Sequence, residues 1–255
     1  MSGTSEPGRE STRWDADTLR DPHGVPDKAA RVEAMFDSIA TTYERVNRVT
    51  SLGRDAVWRR RTLAAADTRA GDVVLDVCCG TGDMLRAFAR HVPSPALVVG
   101  LDFAAGMLAQ GCHDGHPVPI HMVRADALRL PVADESVDVI SCVFGVRNFD
   151  NLQLGLAEMY RVARPGARVV ILEFATPSNP LCRWAYELYC ERVLPAVAGF
   201  LSGERMGAYR YLARSIRTFE TMQSMVHRLQ DVGFHDVTTH AMNLGGVVLY
   251  RAVKP

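Results

Sequence analysis

The segment Leu75-Asp76-Val77-Cys78-Cys79-Gly80-Thr81-Gly82-Asp83 decides the fold. An apolar run, Val73 to Leu75, leads into an acid at Asp76 and then into a glycine turn, and a helical pattern follows directly. Because glycine lacks a Cβ and tolerates unusual backbone dihedrals, such a turn lets a nucleotide-like ligand approach the backbone closely. A strand, a glycine turn and a helix in this order predict the ligand-binding edge of a parallel sheet.

Strands alternate with helices around this turn. The apolar pattern predicts five strands separated by helices, at residues 72–77, 96–102, 120–124, 137–143 and 167–174. Alternation at this spacing indicates crossover connections and therefore parallel strands. Two further strands, 235–241 and 246–252, lie so close together that they must be antiparallel. The predicted fold is α/β and Rossmann-like, with a mostly parallel seven-stranded sheet and an antiparallel C-terminal hairpin, as is typical of class I methyltransferases.

Helical periodicity accounts for most of the remaining chain. The predicted helices cover residues 28–47, 54–66, 83–91, 104–111, 152–163, 181–217 and 218–231. The aromatic-rich segment 181–217 interrupts the alternation and is expected to form a helical lid. Residues 1–28 lack an apolar core and are predicted to be a flexible tail, which leaves residues 29–255 as a single domain.

Composition restricts the class of protein. Lysine plus arginine equals aspartate plus glutamate, 29 each, so no global field favours nucleic acid. The six cysteines show no C-x-x-C spacing, which favours free thiols in a reducing compartment. No signal-peptide pattern is present, and the longest apolar run, 193–201, is too short to span a bilayer. We therefore expect a cytoplasmic protein, with peripheral membrane contact and a homodimer left open.

A metal site is not expected. Cys112, His113 and His116 form the densest group of metal-ligating side chain types, within a loop rich in Gly, His and Pro. No second pair of ligands at matching spacing accompanies them, so a metal is disfavoured.

The glycine turn favours S-adenosylmethionine (SAM) over a dinucleotide. A dinucleotide fingerprint has a third glycine where this chain has Leu85. The methionine part of SAM needs an acid for its ammonium and backbone N–H groups for its carboxylate, which Asp76 and the Gly80–Gly82 turn offer. A tight turn that merely joins strand to helix is the alternative.

Two acids further along the chain complete the predicted SAM site. Asp102, at the end of the second predicted strand, can accept hydrogen bonds from both ribose hydroxyls. Asp126 and Ala127 follow the third strand and would reach the adenine edge. The alternatives are a surface acid at Asp102 and a helix-capping acid at Asp126.

From about residue 31 to residue 254, the chain resembles the family of ubiquinone/menaquinone-biosynthesis C-methyltransferases. The most specific matching segment is Phe144-Gly145-Val146-Arg147-Asn148, after the fourth strand. The other matching segments are 36–43, 58–60, the glycine turn, 172–174, 193–195 and 209–216.

The resemblance implies methyl transfer from SAM to a ring carbon of a polyprenylated quinol, with demethylmenaquinol as the commonest acceptor. It also implies cofactor contacts at Thr81, Asp102, Asp126 and Ala127. Two positions depart from the family pattern. The serine that usually precedes F-G is Val143, so a hydroxyl contact is lost or replaced by backbone. The threonine before the last strand is Leu244, which leaves open a different acceptor.

The predicted chemistry centres on Arg147. A quinol ring carbon becomes nucleophilic when the neighbouring hydroxyl ionises, and a preorganised cation stabilises the resulting oxyanion. We predict Arg147 as that cation, with Asn148 orienting it; an ion pair between Arg147 and Asp150 is the structural alternative.

Three tyrosines are predicted to contact the substrate. Tyr43 lies on the first helix, whereas Tyr189 and Tyr209 lie in the aromatic segment 181–217, which would hold an isoprenoid tail. The structural alternative is that all three are core or lid packing.

The sequence leaves other functions open. The first is a SAM-dependent methyltransferase that acts on another aromatic or polyketide-like molecule, as the Val143 and Leu244 departures allow. A SAM-binding scaffold or sensor and an NAD-dependent dehydrogenase are the remaining alternatives.

Overall fold

A seven-stranded sheet with the order β3-β2-β1-β4-β5-β7-β6 organises the protein. The computed structural model describes residues 12–111, 115–194, 196–197, 199 and 207–255. The strands are β1 Val73–Val77, β2 Leu97–Asp102, β3 Ile120–Arg124, β4 Val137–Val143, β5 Ala163–Phe174, β6 His235–Met242 and β7 Val247–Val253.

The pairing confirms the predicted topology. Strands β1 to β5 are parallel to one another. Strand β7 pairs antiparallel with both β5 and β6. Strand β5 begins at Ala163, four residues before the predicted start, with an irregular register between Val137 and Val139. Because β1 lies between β2 and β4, the direction of strand order reverses there, and ligands bind at the carboxyl ends of strands at such a reversal.

Helices cover both faces of the sheet. They are α1 Lys28–Ile39, α2 Tyr43–Thr50, α3 Arg54–Ala65, α4 Asp83–Ala89, α5 Ala105–Ala109, α6 Leu152–Val162, α7 Pro180–Leu188, α8 Ala208–Arg217 and α9 Met222–Asp231. In the described part of the predicted lid, a π-helical turn, Tyr189–Val193, continues α7. Within the described residues, no helix has the length and apolarity needed to cross a membrane.

The predicted helix over residues 28–47 is wrong in one respect, because it is two helices. Helix α1 ends at Ile39, whose carbonyl accepts hydrogen bonds from the backbone N–H and the hydroxyl of Thr42, at 2.9 and 3.2 Å. Threonine side chains compete with the helical ladder in this way. The break turns α2 towards the glycine turn of β1.

Successive side chains of β1 pack into two different core clusters, one on each face of the sheet. On one face of the sheet, Leu75 and Val77 pack with apolar residues of α6 and α9. On the other, Val74 packs with apolar residues of α3 and α4. Since successive residues of a strand point to opposite faces, Asp76 points to the same face as Val74.

The prediction of a flexible tail over residues 1–28 is wrong for its described part. Residues 12–27, here called the N-terminal arm, pack against the fold. Trp14 is fully buried and stacks on Tyr211, with 4.3 Å between the ring centroids. Arg214 donates to the carbonyls of Leu19 and Arg20, at 2.9 and 3.1 Å. Burial of one large aromatic side chain outweighs the polar composition around it; residues 1–11 lie outside the described residues.

Candidate active site

Asp76 places a buried carboxylate at the carboxyl end of β1. It is 2% exposed, and the hydroxyl of Ser141 on β4 donates to its Oδ1. Burial raises the pKa of Asp76 from 3.8 to about 7, and the Ser141 hydrogen bond opposes the rise. A carboxylate in this environment gains free energy from any cation that binds beside it. The site therefore fits the ammonium group that the sequence predicts.

The glycine turn and Asp102 form one unit. Gly80 and Gly82 have φ angles of +56° and +86°, in the left-handed region that glycine tolerates. The N–H of Gly80 donates to Asp102 Oδ2 at 2.8 Å, and the N–H of Ala104 donates to Oδ1 at 2.9 Å. Burial raises the pKa of Asp102, and these backbone bonds oppose the rise. The pairing of β1 with β2 thus brings both predicted acids to one edge.

The missing third glycine has a packing explanation. A Cβ on Gly100 of β2 would lie 2.5 Å from Leu85 Cδ1 and 2.8 Å from Cys79 Sγ. Helix α4 therefore packs closely on β2 because the glycine is on the strand rather than on the helix. Leu85 is consequently weak evidence against a dinucleotide, and the case for a methionine ammonium depends on Asp76.

Thr81 has a partner that the sequence did not indicate. Its hydroxyl donates to Glu44 Oε1 at 2.6 Å, and Arg86 donates to the same oxygen at 3.0 Å. Arg86 also donates to the Thr81 carbonyl at 2.7 Å. These bonds tie α2 to the glycine turn. Glu44 was missed because only the tertiary fold brings it there.

The loop that contains Asp126 and Ala127 begins next to Asp102. The N–H of Ala125 donates to the Asp102 carbonyl at 2.9 Å, which fixes the start of this loop. Asp126 is exposed, and its Oδ1 accepts from the N–H of Leu128 at 2.9 Å, which is the capping alternative. The adenine contacts of both residues stay predictions.

The Phe144–Phe149 segment, here called the arginine turn, packs on the glycine turn. A Cβ on Gly145 would lie 2.6 Å from Cys78 Cβ and 2.7 Å from Cys142 Sγ, so only glycine fits. The Val143 side chain, which stands where the family has serine, packs in the apolar cluster around Val74. The predicted contact of Val143 with SAM stays a prediction.

Arg147 is buried, and its partner is Glu173 of β5 rather than the expected alternative Asp150. Its Nη1 donates to Glu173 Oε1 and to the Phe144 carbonyl, both at 2.7 Å. The backbone N–H of Arg147 donates to Glu173 Oε2 at 3.3 Å. Burial alone would lower the pKa of Arg147, but the Glu173 carboxylate raises it. The guanidinium therefore stays charged.

Asn148 holds the arginine turn in place. It does not line the aromatic cavity of about 390 Å³ that lies beside this turn. Its amide donates to the Phe144 carbonyl at 3.3 Å, and its Oδ1 accepts from the Tyr211 hydroxyl at 3.0 Å. Asn148 thus holds the arginine turn to α8, and its predicted role of orienting Arg147 stays a prediction.

A cavity of about 390 Å³ lies beside the arginine turn. Arg147 lines it, together with apolar and aromatic side chains of α1, α2, α3 and α8 and the ends of β4 and β5. The three predicted substrate residues, Tyr43, Tyr189 and Tyr209, all line it. Aromatic lining with a small number of charged groups suits a flat apolar ring.

The described residues contain no group of three or more His, Cys, Asp or Glu side chains that could hold a metal ion. Cys112 and His113, from the segment considered above, lie outside the described residues.

Solved structures with the same fold define the class. A putative methyltransferase from Haloferax volcanii, solved with its Trm112 activator, matches with a TM-score of 0.63 and 17% identity, over 86% of this chain and 97% of that chain. A SAM-dependent methyltransferase from Thermotoga maritima matches with a TM-score of 0.61 and 16% identity, over 87% and 99%. At these identities the likeness shows the fold, which is that of class I methyltransferases.

Sequence relatives define the family. The model of the ubiE/COQ5 methyltransferase family matches residues 25–254. A ubiquinone/menaquinone biosynthesis C-methyltransferase UbiE from Cellvibrio japonicus is 37% identical, over 91% of this chain and 94% of its own length. A demethylmenaquinone methyltransferase from Clavibacter sepedonicus is 38% identical, over 89% and 92%. The chain belongs to the ubiE/COQ5 methyltransferase family, which confirms the predicted resemblance and the predicted enzyme class.

We predict that SAM affinity depends on the charge of Asp76. Because the pKa of Asp76 is about 7 and a bound ammonium favours the carboxylate, the affinity should fall about tenfold per pH unit below pH 7 and level off above it. Isothermal titration calorimetry with SAM from pH 5.5 to pH 8.5 measures this.

The matched control is Asp76→Asn, which keeps an acceptor for Ser141 but cannot ionise. It should bind SAM about 10- to 100-fold more weakly, with a flat pH profile in this range. Equal affinity of both proteins at pH 8 would contradict the assignment of Asp76.

Proposed function

We propose that this protein transfers the methyl group of SAM to a ring carbon of a polyprenylated quinol, with demethylmenaquinol as the acceptor. The observation that carries the proposal is the buried guanidinium of Arg147 in the wall of the aromatic cavity. Its Nε–H is buried and has no hydrogen-bond partner among the described residues. That donor is left for an oxygen of the acceptor.

The residues at the strand ends fit SAM. The Asp76 carboxylate suits the ammonium, and Asp102 retains lone pairs for ribose hydroxyls. In the glycine turn, the N–H groups of Gly80 and Gly82 donate to Asp102 and to the Cys79 carbonyl, so the N–H of Thr81 is the one we propose for the SAM carboxylate. When bound, SAM supplies a sulfonium methyl that is already electrophilic. The protein then has to orient the acceptor carbon, which contributes about 7–11 kcal/mol in well-aligned reactions.

Arg147 and the cavity wall supply the rest of the proposed chemistry. Ionisation of a quinol hydroxyl raises the electron density on the neighbouring ring carbon, and Arg147 stabilises the oxygen anion. The hydroxyl proton goes to water or a carboxylate. The new carbon–carbon bond forms as the methyl leaves sulfur, and the ring C–H proton is then transferred through water to the oxygen anion, which restores the hydroxyl. Relatives named demethylmenaquinone methyltransferase, from Clavibacter sepedonicus and Porphyromonas gingivalis, support a naphthoquinol acceptor.

The labelled-methyl assay tests the function directly. We expect the protein to transfer label from SAM to demethylmenaquinol, and mass spectrometry should place the methyl on a ring carbon. Methylation on oxygen, or no transfer to the quinol by protein that binds SAM, would contradict the proposal.

Leu244 supports one second candidate, a different aromatic or polyketide-like acceptor. It replaces the family's threonine and lines the cavity with an 80% exposed side chain. A tail-free aromatic in the same assay distinguishes the two, because this candidate predicts that it is methylated faster than the prenylated quinol.

Removing the charge of Arg147 should abolish most turnover. Truncation alone would leave Glu173 buried and unpaired, so the variant is the double substitution Arg147→Met/Glu173→Gln. Loss of an oxyanion donor should lower kcat about 10²- to 10³-fold, with the Kd for SAM within about twofold because neither side chain lies at the glycine turn.

Arg54→Ala is the matched control, since Arg54 also lines the cavity but is exposed. It should change kcat by less than about fivefold, as is usual for exposed charges. Equal losses in SAM binding and in turnover for the double variant would refute the proposed role of Arg147.

We further propose that the cavity mouth docks on a lipid bilayer. Leu52 and Leu244 line the cavity, are 86% and 80% exposed, and have φ angles of +53° and +58°. The left-handed backbone conformation of a leucine costs about 1–3 kcal/mol of conformational free energy. Exposure of its apolar side chain to water provides no stabilisation that would offset this cost. Exposed Arg48, four residues before Leu52, suits lipid headgroups. A polyprenyl tail dissolved in hydrocarbon would enter between the two leucines.

Vesicle sedimentation measures this docking. Leu52→Ser/Leu244→Ser should lower binding to vesicles of neutral and anionic phospholipid about tenfold or more, because each leucine contributes about 1.5–3 kcal/mol when buried. The control Val92→Ser removes an equally exposed side chain that does not line the cavity. If the double variant instead changes the oligomeric mass in light scattering, a second copy of the chain covers the leucines and the bilayer proposal fails.

A further inference from the structure

Two charged side chains, from β5 and from α1, hold the arginine turn. Glu173 of β5 accepts from the backbone N–H and the guanidinium of Arg147. The ammonium of Lys28, the first residue of α1, donates to the main-chain carbonyls of Arg147 and Phe149. We propose that Lys28 is a positioning residue for Arg147, which fixes the turn so that the guanidinium meets the acceptor oxygen.

The ammonium of Lys28 has three hydrogen-bond partners, two in the arginine turn and one in the N-terminal arm. Its Nζ lies 3.3 Å from the Arg147 carbonyl and is bonded to the Phe149 carbonyl. The third partner is His23 Nδ1, at 3.4 Å. Because a carbonyl only accepts, His23 Nε2 carries the proton in its 3.1 Å bond to the Ser215 carbonyl, and Nδ1 is left to accept from Lys28. One ammonium thus joins the arm to the arginine turn.

An ammonium at this position costs stability. Lys28 is 2% exposed, and carbonyl oxygens rather than a carboxylate surround its Nζ. Burial lowers the pKa of Lys28 from 10.5 to about 8, and the nearby Asp150 opposes that only in part. An apolar side chain of similar size would fill the space without this penalty. Compared with such an apolar side chain, the ammonium adds the hydrogen bonds to the two carbonyls.

The carbonyls need such a donor. The turn contains a single 3₁₀ segment, Val146–Asn148, and the last carbonyls of a helical turn have no partner within it. Lys28 supplies both bonds at once, on either side of Asn148. A shift of about 1 Å in a positioned group can cost about 100-fold in rate, so a bond to the backbone of Arg147 itself affects the reaction.

A second contact from the N-terminal arm reaches the same turn. Trp14 stacks on Tyr211, whose hydroxyl donates to Asn148 Oδ1 at 3.0 Å. The arm therefore supports Asn148 through packing, whereas Lys28 holds the two carbonyls that flank it. The inference about Lys28 depends on the proposed role of Arg147, and the test below separates the two.

A double-mutant cycle tests the inference. Lys28→Met keeps the length of the side chain and removes the donors. It should lower kcat about 10- to 100-fold, with the KM for SAM within about twofold. In the Arg147→Met/Glu173→Gln background, Lys28→Met should have no further effect, because the group it positions is gone. A purely structural role would give the same fold loss in both backgrounds.

Arg31→Met is the matched control. Arg31 lies on the same helix and ties the arm through the Arg13 carbonyl, at 2.6 Å, but its bonds do not reach the arginine turn. It should leave kcat within about twofold of the parent, because neither of its two hydrogen bonds touches the arginine turn. Thermal unfolding of each variant confirms folding. If Lys28→Met does not fold, Lys28→Gln takes its place. Its neutral amide is one atom shorter and cannot hold both carbonyls, so a smaller loss of kcat is expected, again only in the background that retains Arg147.

The outcomes separate the two proposals. An unchanged kcat in Lys28→Met, or losses that multiply in the combined variant, overturns the role of Lys28 alone. If Arg147→Met/Glu173→Gln itself turns over normally, the proposed role of Arg147 fails, and the inference about Lys28 fails with it.

Discussion

Close contact between two turns is the constraint on which the site depends. Strands β1 and β4 are neighbours in the sheet, so the glycine turn after β1 and the arginine turn after β4 meet at one edge. Gly145 packs on Cys78 so tightly that a single Cβ would overlap it. The two turns, here called the shared wall, thereby bring the predicted SAM site next to the residues that line the aromatic cavity. A methyl group can pass directly between two ligands only if they meet in this way.

The protein concentrates buried charge around that wall. Asp76, Glu173, Arg147 and Lys28 are all at most 5% exposed. Buried charges and ion pairs are seldom the most stabilising choice, because apolar residues of the same volume avoid the loss of hydration. Only Arg147 and Glu173 form a direct ion pair among these four. Among the described residues, Asp76 forms no direct ion pair, although Arg59 lowers its pKa electrostatically. Lys28 is bound by carbonyls. The burial of each charge is therefore explained better by what the residue binds or positions than by a gain in stability.

Local patterns were sufficient to predict the fold. Strands β3 and β4 have the predicted bounds, and the short link between β6 and β7 required their antiparallel pairing. The acids at the ends of β1 and β2 were also found, because parallel strands bring their carboxyl ends to one edge. These predictions needed only periodicity and spacing.

Partners distant in the chain could not be predicted in the same way. Glu173 lies 26 residues after Arg147, and Lys28 lies 119 residues before it, so neither contact has a local signal. The arm was misread because its composition is polar, whereas one buried residue, Trp14, determines its packing. The charged partner of Arg147 was sought nearby at Asp150 and lies instead on the next strand of the sheet.

The most direct test of the shared wall is a crystal structure with S-adenosylhomocysteine and a tail-free naphthoquinone bound together. We predict that the amino group of the homocysteine part binds Asp76 and that the ribose binds Asp102. A quinone oxygen should bind Arg147. A nucleoside bound away from the glycine turn, or a ring whose oxygens do not reach Arg147, would contradict the central claim that the two turns join donor and acceptor.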